Sequence, residues 1–171
     1  ERLGEPAEAF RQFERMNQES RKAHPPAAGL NFRETIEQQT ALMQAAPPPV
    51  APPSDAPEDP VFIVGSPRSG TTLLDTLLTA LPELQVFEEQ GMLTTTETAF
   101  PGLAAERDAA RIEEARRFYF SAAEDLEGPL RGRRLVDKMP LHLTHMPTIH
   151  RLFPNAAIVL VERHPCDAVL S

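Results

Sequence analysis

Apolar positions follow a purely helical rhythm in the first part of the chain and an alternating strand-and-helix rhythm after residue 60. Pro6 to about Ala23 predicts one amphipathic helix, ended by His24-Pro25-Pro26. Asn31 to Ala46 predicts a second, with Asn31 as N-cap, Glu34 three residues on, and Phe32, Ile36 and Met43 near one face. Val61–Val64 then reads as a buried strand, four apolar and mostly β-branched residues in a row. A helix is predicted over Thr71 to Leu81, a short strand over Leu84–Phe87, and a long helix over Ala104–Leu126 with Ile112, Ala115, Tyr119 and Leu126 at helical spacing. Arg134–Asp137 is the third strand, Leu141–Leu152 a helix stopped by Pro154-Asn155, and Ile158–Val161 the last strand. Strands alternating with helices predict an α/β fold, a parallel sheet flanked by helices with right-handed crossovers. Ligands of such sheets bind beyond the carboxyl ends of the strands.

Between the two regimes, Pro47 to Pro60 holds seven prolines in fourteen residues. That composition predicts an extended, semi-rigid linker. The expected organisation is therefore a helical segment over 1–46, a linker over 47–60 and an α/β domain over 61–171. The chain starts mid-pattern and stops inside a predicted helix, so it reads as a piece of a longer protein. Its 171 residues and 41% apolar content suffice for one ordinary core. A net charge of −8 with a pI near 5.1 argues against general nucleic-acid or anionic-membrane binding. Any site for a polyanion must then be locally basic. The single cysteine, Cys166, excludes an internal disulfide framework and is expected to be buried in a helix. No apolar run approaches a membrane span, and no signal peptide opens the chain, so a cytoplasmic location is the default expectation.

The richest stretch is Val61-Phe-Ile-Val-Gly65-Ser-Pro-Arg68-Ser69-Gly70-Thr71-Thr72-Leu-Leu. A strand, a glycine-bounded loop and a helix start form a phosphate cradle, in which backbone N–H groups and the helix dipole converge on one anion. Gly65-x-x-x-x-Gly70 has the nucleotide P-loop spacing, but Thr71 stands where that motif carries lysine. The positive charge sits in the loop, at Arg68. Such a loop suits a phosphate-bearing donor other than Mg-ATP. Arg68, the Glu88-Glu89 pair, Lys138 and Arg163 all fall just beyond predicted strand ends and so converge on one sheet edge.

Ser66-Pro-Arg-Ser-Gly-Thr-Thr-Leu-Leu74 resembles the 5′-phosphosulfate loop of sulfotransferases that use 3′-phosphoadenosine 5′-phosphosulfate (PAPS). The stretch Ala157 to Ser171 resembles that family's 3′-phosphate segment, where a strand ends in an arginine and a helical serine follows eight residues later, as Arg163 and Ser171 do here. The closest resemblance is to bacterial TPR-linked sulfotransferases and to the tyrosylprotein sulfotransferases, and it covers about Val61 to Ser171. More weakly, Leu3-Gly4 followed by Ala7, Ala9, Phe10 and Phe13 resembles the second half of a tetratricopeptide repeat.

The resemblance implies roles. Arg68, with the N–H groups of Ser69, Gly70, Thr71 and Thr72, would take the 5′-phosphosulfate; Arg163 and Ser171 the 3′-phosphate. Phe87-Glu88-Glu89-Gln90 stands at the distance of the tyrosylprotein enzymes' Gly-Glu-Glu-Thr, whose second glutamate is the base, which makes Glu89 the candidate base. Phe87 and Gln90 depart from that pattern. Lys138, in Lys138-Met-Pro140, resembles the family's Lys-x-Pro lysine, which assists the leaving group. Sulfuryl transfer resembles phosphoryl transfer, needing an oriented in-line attack and dispersed cationic charge. No metal is implied. His142 is the competing base, since the small-molecule branch uses a histidine; His145 and His150 read as structural or exposed, and His142-Leu-Thr-His145 lacks the zinc pattern. The acceptor is left open among peptide tyrosine, carbohydrate and small alcohols or phenols, with Arg131, Arg133 and Arg134 as a docking patch for an acidic peptide. Two other readings stand beside this one: another P-loop group transferase such as a kinase, and a helical-repeat binding module with an inactive nucleotide site.

Overall fold

A computed structural model of the chain describes residues 6–23 and 32–170. The chain divides into two compact units, Glu1–Thr35 and Ile36–Ser171. In the first, α1 runs from Pro6 to Ala23. Its apolar Phe10, Phe13 and Met16 are exposed. The expected tetratricopeptide signature at Leu3-Gly4, the stop at His24-Pro25-Pro26 and the cap at Asn31 lie outside the described residues. Helix α2 spans Phe32–Gln44.

The second unit is built on four parallel strands, β1 Val61–Gly65, β2 Leu84–Glu88, β3 Arg134–Lys138 and β4 Ala157–Val161, in the order β2-β3-β1-β4. Each run of apolar, β-branched residues became a strand, as expected. In register, Phe62 and Phe87 flank Asp137, while Ile63 and Glu88 flank Lys138. Side chains alternate across a strand, so Asp137 and Lys138 look to opposite faces. On the Asp137 face pack α5 (Ala109–Glu127) and α6 (Met146–Leu152), and the core there joins Phe62, Phe87, Tyr119, Phe120 and Phe153. On the Lys138 face packs α3 (Thr71–Leu78).

Several boundaries move for local reasons. The long helix begins at Ala109, not 104, because the Asp108 carboxylate caps it, accepting from the Ala110 N–H at 2.9 Å. Leu126 is exposed, whereas Ile112, Ala115 and Tyr119 are buried. The helix predicted over 141–152 is a 3₁₀ segment, Pro140–His145, followed by α6, because Pro147 can sit only in a first turn. Met92–Ala99 forms α4, which the sequence reading lacks. Helix α7, Pro165–Leu170, leaves Cys166 exposed, contrary to expectation: none of the described elements packs over it.

The proline-rich stretch does not behave as a free spacer. Val50 packs on the core, the Pro47 and Pro48 carbonyls accept from the buried Arg151, and Asp59 is itself buried. Asp59 pairs with Arg116 at 2.6 Å and accepts the Asn155 N–H at 2.8 Å. Arg116 also donates to the Leu152 carbonyl and lies over the Phe153 ring. Residues 47–60 are thus part of the second compact unit.

Candidate active site

The loop after β1 is shaped by two close approaches. A Cβ on Gly65 would stand 2.5 Å from the Val161 carbonyl oxygen and 3.0 Å from the Ser69 hydroxyl, so only glycine lets β4 and the loop meet there. Gly70, at φ +106°, turns the chain into α3. The Ser69 N–H is already given to the Ser66 carbonyl at 3.2 Å, which removes it from the expected cradle. The cradle therefore narrows to Gly70, Thr71 and Thr72, whose N–H groups lie at the helix start where no intrahelical carbonyl reaches them.

Above this edge lies a cavity of about 430 Å³, within the usual range for small-molecule sites. Its wall carries Arg68, Gly70, Thr71, Thr72, Glu89 and Arg163, with Met139, Pro140 and Leu141 forming an apolar side. Six predicted donor-binding or base positions, Gly70 among them, thus share one wall. Arg163 is anchored to the cradle, donating from Nη1 to the Arg68 carbonyl at 3.2 Å. Ser171 lies outside the described residues.

Among the described residues, only three other than glycine have positive φ: Arg68 at 69°, Glu89 at 51° and Arg131 at 52°. Two of them line the cavity. Such backbone costs roughly 1–3 kcal/mol each and clusters at functional sites. At Glu89 it is held by the residue's own N–H, which donates to the Lys138 carbonyl at 2.7 Å.

Lys138 does not line the cavity. It is fully buried, and its ammonium sits among three carboxylates: Glu88 at 2.9 Å, Glu89 at 3.0 Å and Asp75 at 3.2 Å, with the Thr72 hydroxyl at 3.5 Å. Burial pulls the ammonium's pKa down, but the bonds it donates to Glu88 and Glu89 and its pairing with Asp75 carry it above its ordinary 10.5. The bond from Lys138 in turn holds the Glu88 carboxyl below the usual range. Asp75 was not foreseen. Its signal in the sequence is an acidic residue amid Thr-Thr-Leu-Leu-Asp-Thr-Leu-Leu, and the helix is turned so that Thr71 and Asp75 face inward while Leu73 and Leu77 are exposed.

His142 is not positioned as a base for this cavity. Its ring is buried on the other side of β3, 6.1 Å from the Phe62 ring and with Nδ1 3.6 Å from the Asp137 carboxylate. Burial lowers it to about 4. Burial likewise raises Asp137 to about 7, although Tyr119 donates to it at 2.8 Å. His145 pairs with Glu97 at 2.7 Å, and that bond raises it. Arg134 opens β3, at the opposite end from Lys138, and pairs with Glu58 at 2.9 Å, so it is committed elsewhere than the cavity. Among the described residues, no group of three or more His, Cys, Asp or Glu side chains is placed to hold a metal ion, and no helix is long and apolar enough to cross a membrane.

A sequence profile described as the sulfotransferase family matches residues 60–171, the whole sheet with its cradle and cavity. The chain belongs to the sulfotransferase family. An uncharacterized protein of Aquifex aeolicus (strain VF5) is 27% identical over 128 residues, a stretch taking in 66% of this chain and 16% of that relative. The chain thus spans about a sixth of the relative's length. Within this sulfotransferase domain, the residues present fit a donor bearing several phosphate-type groups: two arginines, a glycine-turned helix start and an apolar wall converge on one cavity.

Proposed function

We propose that the chain carries the donor-binding part of a PAPS-dependent sulfotransferase that moves a sulfuryl group to a hydroxyl acceptor. The observation carrying this reading is the shared cavity wall: the lysine-less cradle, Arg163 and Glu89 meet there although they are up to 95 residues apart in sequence. Arg68 and the Gly70–Thr72 N–H groups would hold the 5′-phosphosulfate, the guanidinium offering a fork that suits such an anion. Arg163 and Ser171 would hold the 3′-phosphate. When bound, the donor supplies an activated sulfuryl group on a phosphate leaving group. Glu89 accepts the acceptor hydroxyl's proton, and its strained backbone keeps that carboxylate at the cavity wall. Lys138 supplies positive charge toward the leaving oxygen and meanwhile grips Glu89. A magnesium nucleotide is the poorer fit, because Thr71 stands where the Walker lysine would be.

The relation to TPR-linked and tyrosylprotein enzymes, and so a bacterial, cytoplasmic enzyme acting on peptide tyrosine, is part of this proposal. The exposed apolar Phe10, Phe13 and Met16 of α1 support a helical segment that takes a protein partner. The test is incubation of the full chain with PAPS and a panel of tyrosine peptides, carbohydrates and phenols, read by mass spectrometry. A gain of one sulfate on any acceptor supports the reading; no gain, together with phosphate transfer from ATP, overturns it.

A further inference from the structure

Lys138 hydrogen-bonds the Glu88 and Glu89 carboxylates and forms an ion pair with the Asp75 carboxylate at 3.2 Å, and the three are not equivalent. Glu88 and Glu89 come from the end of β2, and their side chains are 55% exposed. Asp75 comes from α3, and its side chain is 5% exposed. It is the only one of the three that water and ligands hardly reach. Its other oxygen lies 3.3 Å from the Thr76 hydroxyl, whose one proton is better placed on the Thr72 carbonyl at 2.7 Å. Asp75 also sits one turn beyond Thr71 and Thr72, on the very helix whose N-terminus forms the cradle.

We propose that Asp75 is a positioning residue for Lys138: a buried carboxylate on the cradle helix that keeps the ammonium in place when Glu89 gives up its charge. This rests on the function proposed above. In the transfer, the acceptor's O–H bond breaks and its proton goes to Glu89. The acceptor oxygen's electron pair forms the bond to sulfur, and the sulfur–phosphate oxygen bond breaks with its pair on the phosphate. At that moment Glu89 becomes neutral and its hold on Lys138 weakens. A buried ammonium without a charged partner is strongly disfavoured. Glu88 is open to solvent, so the shielded partner is Asp75. The same carboxylate adds negative charge near an anionic donor, so it cannot be there to bind that donor.

That opposition makes the proposal testable. In Asp75→Asn, an isosteric change, turnover should fall about ten- to a hundredfold, the scale of a small misplacement of a reacting group. Affinity for adenosine 3′,5′-bisphosphate should stay equal or tighten. The alkaline limb of the pH–rate profile should move to lower pH, because one of the groups raising Lys138 is gone; Glu88 and Glu89 remain as its only charged neighbours. A merely structural role predicts the reverse for binding, since damage to α3 damages the cradle. Unchanged turnover, weakened nucleotide binding or an unmoved alkaline limb would each overturn the proposal. If the Asn variant does not fold, Asp75→Ser, which leaves room for water, is measured with the same expectations. Titration of the Lys138 ammonium by nitrogen NMR in the full chain, assigned by its loss in Lys138→Arg, is read without any transfer activity. A lowered ammonium pKa in Asp75→Asn sustains the pairing even if the sulfotransferase reading fails; an unchanged pKa refutes it.

Discussion

Removing the Asp59 carboxylate should cost far more than its place in a proline-rich stretch suggests. Asp59 and Arg116 are 2% and 3% exposed at 2.6 Å, and the second Asp59 oxygen holds the Asn155 N–H. Asp59→Ala leaves the buried guanidinium with the Leu152 carbonyl, the Phe153 ring and only a longer, 3.6 Å pair to the Glu113 carboxylate. Stripping one partner from a buried pair costs about 3–5 kcal/mol. For a protein of this size each kcal/mol moves Tm by about 2–4 °C, so the expected drop is ~6–20 °C. The neighbouring Glu58→Ala removes a pair whose carboxylate is 67% exposed, and should cost under about 1 kcal/mol. Asp59→Ala/Arg116→Met should recover much of the loss, because the orphaned charge is gone. Urea and thermal unfolding of the four proteins decide the matter. If Asp59→Ala and Glu58→Ala unfold alike, residues 47–60 are a spacer after all and the reasoning fails.

Glu89→Gln keeps an oxygen for the Lys138 ammonium but cannot take a proton; turnover should fall on the order of 10²-fold or more with nucleotide affinity retained, and normal turnover would remove Glu89 as base. Arg163→Ala should weaken adenosine 3′,5′-bisphosphate binding by about ten- to a hundredfold with little change in unfolding midpoint, since the residue is exposed and a charge-assisted contact is worth roughly 1.5–3 kcal/mol. Asp137 and His142 should oppose each other in stability. Asp137, raised to about 7 by burial, stabilises fully below its unfolded value near 3.8, and that stability is lost as pH rises to about 7; His142, lowered to about 4, stabilises above 6.5, and that is lost as pH falls to about 4. The two slopes nearly cancel between pH 4 and 6.5. Relative to the native chain, His142→Asn should therefore lose stability with rising pH in that window and Asp137→Asn gain it, by up to about 1.4 kcal/mol per pH unit; matching slopes in urea unfolding would contradict this.

How much was legible depended on what carried the signal. β1 was plain because a central parallel strand leaves a continuous apolar run, Val61–Val64, and β4 because its run is apolar although one of its faces is exposed. The cradle was plain because glycines at 65 and 70 answer to local geometry, one to a close approach and one to a positive φ. Helix α4 was not, since Met92-Leu-Thr-Thr-Thr-Glu-Thr is rich in β-branched residues. It forms because Met92, Leu93 and Thr96 are buried; the Thr96 and Thr98 hydroxyls find their partners in carbonyls four residues earlier. Glu89, Arg68 and Arg163 were read from spacing and meet in space. The cage around Lys138 was hidden in part: Glu88 reaches it by the pairing of β2 with β3, at the sheet edge where the spacing puts both, but Asp75 reaches it only through the packing of α3 on the sheet. His142 stands four residues past the strand-end Lys138 and yet on the far side of β3, a difference that only the pleat and the turn at Met139 decide. The contacts of the proline-rich stretch were not legible, because composition reports backbone stiffness, not the burial of one aspartate.

The most direct test of the central claim is calorimetric titration of the full chain with adenosine 3′,5′-bisphosphate and, separately, with ATP and Mg²⁺. A cradle without its lysine, closed by Arg68 and Arg163, predicts clear binding of the bisphosphate and much weaker binding of the magnesium nucleotide. Equal or tighter binding of ATP with Mg²⁺ would contradict the account.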